Sequence, residues 1–184
     1  MVDAKTIAVL HKQVFGEISF TTRFSIFLLT KFFEKLIEQM KYSIIMKENE
    51  EIVGYLFAGT SINQIISSFK KENIIKIIFC LLQNPHFIPE KIVGLLNLFK
   101  PKNKQTSNEL SLYLIAVDNR LGKGGFGKEL LNYFEELIKG DNEKSYTLAV
   151  RKNNQRAIDF YKKTNLIQIG ENDKSFIFRK ELLF

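Results

Sequence analysis

Cysteine is almost absent from this 184-residue chain: Cys80 stands alone. A single thiol excludes an intrachain disulfide framework and a cysteine-based zinc site. It lies in the apolar run Ile77-Ile78-Phe79-Cys80-Leu81-Leu82, where it reads as a small core hydrophobe in a reducing compartment. Histidine occurs only as His11 and His86, and no metal site is expected. Long hydrophobic runs are missing too. The longest, around 73–82 with Lys76 inside it and 92–99, are about half of the ~20 residues that span a bilayer. No secretory segment opens the chain, because Asp3, Lys5 and Lys12 are mixed among the first apolar residues. The expectation is a soluble, cytoplasmic protein without stable membrane insertion.

What is present fits one domain over 1–184. Apolar content of 45% and charged content of 26% are those of a globular protein, and the length suits one full core. The net charge is 27 minus 20, or +7, and it is unevenly spread. Between Ser61 and Lys104 stand Lys70, Lys71, Lys76, Lys91, Lys100, Lys102 and Lys104 against Glu72 and Glu90. Such a patch attracts an anion: a phosphorylated ligand, a lipid head group or nucleic acid. Its plainer reading is a solvated helical face with a lysine-rich exit loop.

Apolar spacing predicts helices over 3–15 and from an N-cap at Thr22 to about Met40. Strands at 42–46 and 52–58 form a hairpin. Helices at 62–83 and 89–99 follow, then a polar loop, a strand at 109–117 and a helix at about 125–139. A strand at 145–150, a helix at 154–163 and a hairpin of 166–169 with 175–179 close the chain. The fold class is mixed α/β.

The most informative segment joins the strand at 109–117 to the next helix through Gly122-Lys123-Gly124-Gly125-Phe126-Gly127-Lys128. Glycines permit positive φ and close backbone approach. A helix start presents unsatisfied N–H groups and the positive end of a dipole. Together they suit a phosphate or pyrophosphate. Gly122, Gly124 and Gly127 satisfy a dinucleotide fingerprint, and Gly122 to Lys128 most of a Walker A loop, with Glu129 where a hydroxyl should bind magnesium. Only 57 residues follow Gly127, too few for the further strand–helix units of a nucleotide fold. The next strand ends at Val150-Arg151, without the acidic residue that holds an NAD ribose.

Further on, Asn154 is a fair N-cap, Ala157, Phe160, Tyr161 and Thr164 share one helical face, and Asn165 suits a left-handed cap. Taken alone this is an ordinary amphipathic helix. Jointly, the two segments resemble the GNAT superfamily of N-acetyltransferases. Gly125 and Gly127 fill the glycine positions of its motif A, with Gly122 where Gln or Arg is usual. Asn154-x-x-Ala157-x-x-Phe160-Tyr161 is similar to motif B, with Asn165 where Gly is usual. The match spans roughly 109–180.

The resemblance implies a mostly antiparallel sheet with a splayed parallel strand pair, helices on both faces, and here an extra helical insertion at about 62–104. It implies acetyl-coenzyme A as cofactor. The pyrophosphate would lie on the backbone of about Lys123 to Lys128, with Arg120 in place of the missing charge. The pantetheine arm would lie along Ile115, Ala116 and Val117, and Asn154, Ala157 and Phe160 would complete the cofactor site. Tyr161 takes the place of the general acid, since a phenol near ~10 can protonate a thiolate of pKa about 8.5. Glu109, on one face with Ser111, Tyr113, Ile115 and Val117 if the strand alternates regularly, is the candidate base or else a solvated loop residue; His11 is a second candidate for the acceptor side. The insertion loosely resembles that of members associated with surface-polysaccharide biosynthesis. The expected acceptor is therefore a small, anionic amine such as a nucleotide-linked amino sugar. A peptide amine is the rival within the enzyme class, and a non-catalytic basic binding module the rival outside it. No nucleic-acid motif appears, and a homodimer is compatible with all of this.

Overall fold

The computed structural model describes residues 3–16, 20–82, 109–118, 120 and 124–182. The helix expected at 89–99 lies outside them. Helix α1 spans Ala4–Phe15, a 3-10 turn Phe20–Arg23, α2 Ile26–Gln39 and α3 Ile62–Leu82. Strands β1 (Tyr42–Glu48), β2 (Glu51–Gly59), β3 (Ser111–Val117), β4 (Ser145–Arg151), β5 (Ile167–Glu171) and β6 (Ser175–Glu181) form one sheet. Helices α4 (Phe126–Gly140) and α5 (Gln155–Lys163) connect β3 to β4 and β4 to β5. By internal contacts the chain forms two compact units, one of α1 to α3 and one of the sheet with α4 and α5.

In the helical unit, Asp3 caps α1 by accepting from the Lys5 amide, and Gly16 ends it at φ 49°. The cap of α2 is Ser25, whose hydroxyl takes the Leu28 N–H at 3.2 Å. Thr22, the expected cap, belongs instead to the preceding 3-10 turn. Ile7 and Ala8 of α1, Leu28, Leu29, Phe33 and Leu36 of α2 and Ile65 of α3 are buried, and the rings of Phe32 and Phe69 meet edge-on at 5.2 Å. α3 bends at Asn73, which leaves helical φ/ψ while its amide donates to the Phe69 carbonyl. Beyond the bend, Phe79 and Ile75 are exposed and Cys80 is half-buried. Cys80 is thus not the core residue that its apolar neighbours suggest.

In the sheet unit the strand order is β1-β2-β3-β4-β6-β5. All neighbours are antiparallel except β3 with β4. Leu130, Leu131, Phe134 and Ile138 share one stripe of α4 and pack with Leu56, Leu112, Tyr146, Leu148 and Phe178 of the sheet and Ile158 and Tyr161 of α5. Tyr42 fastens β1 to α4: its ring meets Phe134 at 5.7 Å and its hydroxyl donates to Asp141 at 2.6 Å.

Candidate active site

The parallel strands β3 and β4 pair only at Ser111 with Thr147 and Leu112 with Leu148. Beyond that point they part. On its other edge β3 stays paired with β2, but the register shifts between Phe57–Leu114 and Ala58–Leu112. Tyr113 is therefore a bulge, placed where β4 leaves. A bulge adds twist and turns the strand, which is the physical cause of the opening. It also corrects the expected alternation. Leu110 and Leu112 before the bulge, and Ile115 and Val117 after it, all face the α4 core. Glu109 and Ser111 consequently lie on the opposite face from Ile115 and Val117. No periodicity in β3 alone could reveal this, because a bulge is defined by the partner strand.

α4 begins at the end of the opening. Gly125 is its N-cap at φ 109°, a conformation open to glycine, and its carbonyl accepts from Lys128 and Glu129 at 2.8 and 3.0 Å. The amides before them have no intrahelical partner by helix geometry. Gly124, Gly125 and Lys128 are exposed and Phe126 and Gly127 half-buried. A methyl on Gly124 would meet nothing within 4 Å. This is an accessible concentration of N–H donors and positive dipole suited to an anion. Gly122 and Lys123 lie outside the described residues. Gly54 of β2 packs against the end of β3: a Cβ there would stand 3.0 Å from the Ala116 carbonyl oxygen and 3.1 Å from Val117 Cγ1.

α5 closes the site from the β4 side. Asn154 caps it by accepting from the Ala157 amide at 3.2 Å, and Asn165 past its end has φ 63°. Both are as the sequence predicts. Phe160 reaches α4, so that a Cβ on Gly127 would meet its ring at 3.7 Å. Ala157 and Phe160 are half-buried and Tyr161 is buried in the core cluster beside Phe178. Burial pushes the Tyr161 phenol well above its ordinary pKa, because phenolate is poorly solvated there.

The remaining candidates are engaged elsewhere. Glu109 precedes β3 and is ion-paired with Arg179 of β6. Beside this pair the hydroxyls of Ser111 and Thr147 meet at 2.9 Å across the first of the two paired rungs of β3 and β4. Arg120, expected at the pyrophosphate, forks onto Asp118 through Nε at 2.9 Å and Nη2 at 2.6 Å. That pairing holds the Asp118 carboxyl below its usual range. His11, in the helical unit, is buried with Nε2 2.7 Å from the Thr21 hydroxyl, and burial lowers its pKa to about 4. Among the described residues no cluster of His, Cys, Asp and Glu could hold a metal, and no helix is long and apolar enough to cross a membrane. The Arg179 partner of Glu109 carried no sequence signal, being 70 residues away.

Comparison with known proteins agrees with this geometry. The family model described as acetyltransferase (GNAT) family matches residues 76–165. Among solved structures, a PaiA N-acetyltransferase from Thermoplasma acidophilum in complex with coenzyme A superposes at TM-score 0.59 and 13% identity, over 98% of this chain and 93% of that one. Ard1 from Thermoplasma volcanium gives 0.57 at 17% identity, over 100% and 95%. An aminoglycoside 6'-acetyltransferase type Ii gives 0.61 at 13% identity, over 98% and 90%. At such identities the likeness is one of fold. The matched segment, just under half of the chain, is similar to the acetyltransferase (GNAT) family.

Proposed function

We propose that this protein is an acetyl-coenzyme A-dependent N-acetyltransferase that passes the acetyl group directly to a primary amine of a small acceptor. The observation that carries the reading is the parting of β3 from β4 beside an exposed, glycine-capped helix N-terminus. When bound, the cofactor supplies an activated acyl carbon as a thioester. The amides at Gly125, Phe126 and Gly127, with the charges of Lys123 and Lys128, hold the pyrophosphate. The edge of β3 at Ile115, Ala116 and Val117 offers peptide groups to the pantetheine arm, and Ala157 and Phe160 flank it. Tyr161 returns a proton to the departing thiolate. Its raised pKa keeps that proton in place until transfer. Glu109 relays the amine's proton to solvent through water.

The excess of lysines between 61 and 104 favours an anionic acceptor, a nucleotide-linked amino sugar being the class that fits best. A thiol-release assay with such amino sugars, their unphosphorylated counterparts and N-terminal peptides tests this. Release with the nucleotide-linked amines alone is the expected result. Release with peptides alone would replace the acceptor class, and release with no amine would overturn the enzymatic reading.

A further inference from the structure

Strand β6 brings one cation towards the core. Lys180 stands opposite Tyr146 of β4, and its side chain is 17% exposed. Its ammonium donates to the Thr164 carbonyl and lies 3.8 Å from the carboxylate of Glu135 on α4, which is 16% exposed. That carboxylate accepts from the Tyr146 hydroxyl at 2.7 Å. Thr164 is the C-cap of α5. Its hydroxyl lies 3.1 Å from the carbonyls of both Phe160 and Tyr161, to which it donates, and the Leu166 amide donates to the Tyr161 carbonyl at 3.0 Å. One polar chain thus runs from α4 through β4 and β6 to the turn that carries Tyr161.

We propose that Lys180 is a positioning residue for acyl transfer, joining the carbonyl end of α5 to Glu135 and Tyr146 and so fixing the Tyr161 side chain in the core beside Phe178. This rests on the reading of Tyr161 as general acid. A cation at a helix C-terminus is favoured by the dipole. Taking an ammonium and a carboxylate largely out of water costs more than filling the same space with an apolar side chain, as Phe178 does two residues earlier on the same strand. What the pair gives in return is fixed geometry, to which proton transfer is sensitive at the level of about 1 Å.

The test compares Lys180→Met, Lys180→Arg and the charge-neutral double variant Lys180→Met with Glu135→Gln, each in the wild-type and Tyr161→Phe backgrounds. The double variant leaves no lone buried carboxylate, so it guards against a folding failure of the single one. The proposal expects kcat to fall about tenfold or more in both Met variants, with KM for acetyl-coenzyme A within about twofold, and Lys180→Arg to recover most of it. In the Tyr161→Phe background the same changes should cost almost nothing more, because groups acting as a unit are non-additive. An unchanged kcat in the Met variants, or equal losses in both backgrounds, would overturn the proposal. Wild-type activity in Tyr161→Phe itself would instead sink the general-acid reading, so the two failures are distinguishable.

Discussion

Tyr161 and His11 are both buried, and burial acts on them in opposite directions. The Tyr161 phenol is raised, so its acid form persists as pH rises, and kcat should show no alkaline fall below about pH 10. Tyr161→Phe should lower kcat by about a hundredfold, at the low end for a positioned acid, while calorimetry finds acetyl-coenzyme A affinity within about twofold. His11 is lowered to about 4 from 6.5. Between those values the unfolded chain binds the extra proton and the folded one does not. Its contribution is therefore complete above about pH 6.5 and is lost as pH falls towards 4, by up to about 3 kcal/mol. Urea melts of wild type and His11→Gln should diverge from neutral pH downwards, with the variant the less acid-sensitive. Parallel curves would show that His11 does not titrate in this window. At this scale the Asn154 cap and the core-facing position of Tyr161 on its helix were legible because each sits in a local spacing. The ties of Glu109 to Arg179 and of Arg120 to Asp118 were not, because the sequence does not say which charge a side chain will meet.

Among the elements, the glycines of the turn separate by what their backbone requires. Gly125→Ala forces a side chain into φ 109° and should cost about 1–2 kcal/mol, seen as a lower Tm together with weaker cofactor binding. Gly127→Ala places its methyl in ordinary contact with Phe160 and gains helix propensity, so its Tm should hold or rise. Equal losses in the two variants would mean that the cap geometry is not what the turn needs. Period and punctuation in the sequence give every strand and helix of the described residues to within a few positions, because local patterns set them. Two details escaped for a shared reason. The cap of α2 moved to Ser25 and β3 acquired a bulge at Tyr113, and both depend on which backbone partner is nearest once the chain has folded.

Across the molecule, the opening between β3 and β4 and the cap of α4 are parts of one surface, and a ligand spanning both stabilises the fold by mass action. Acetyl-coenzyme A at about 100 times its Kd should add about 2.7 kcal/mol, and hydrogen exchange should slow most at Tyr113–Val117, along the β3 edge that β4 leaves unpaired. Slowing confined to other regions would place the ligand elsewhere. The central claim is tested most directly by calorimetric titration of acetyl-coenzyme A into the protein, with NADP and ATP–magnesium as controls. Binding of acetyl-coenzyme A alone, retained in Tyr161→Phe, is the predicted result. Absence of binding, or preference for either nucleotide, would contradict it.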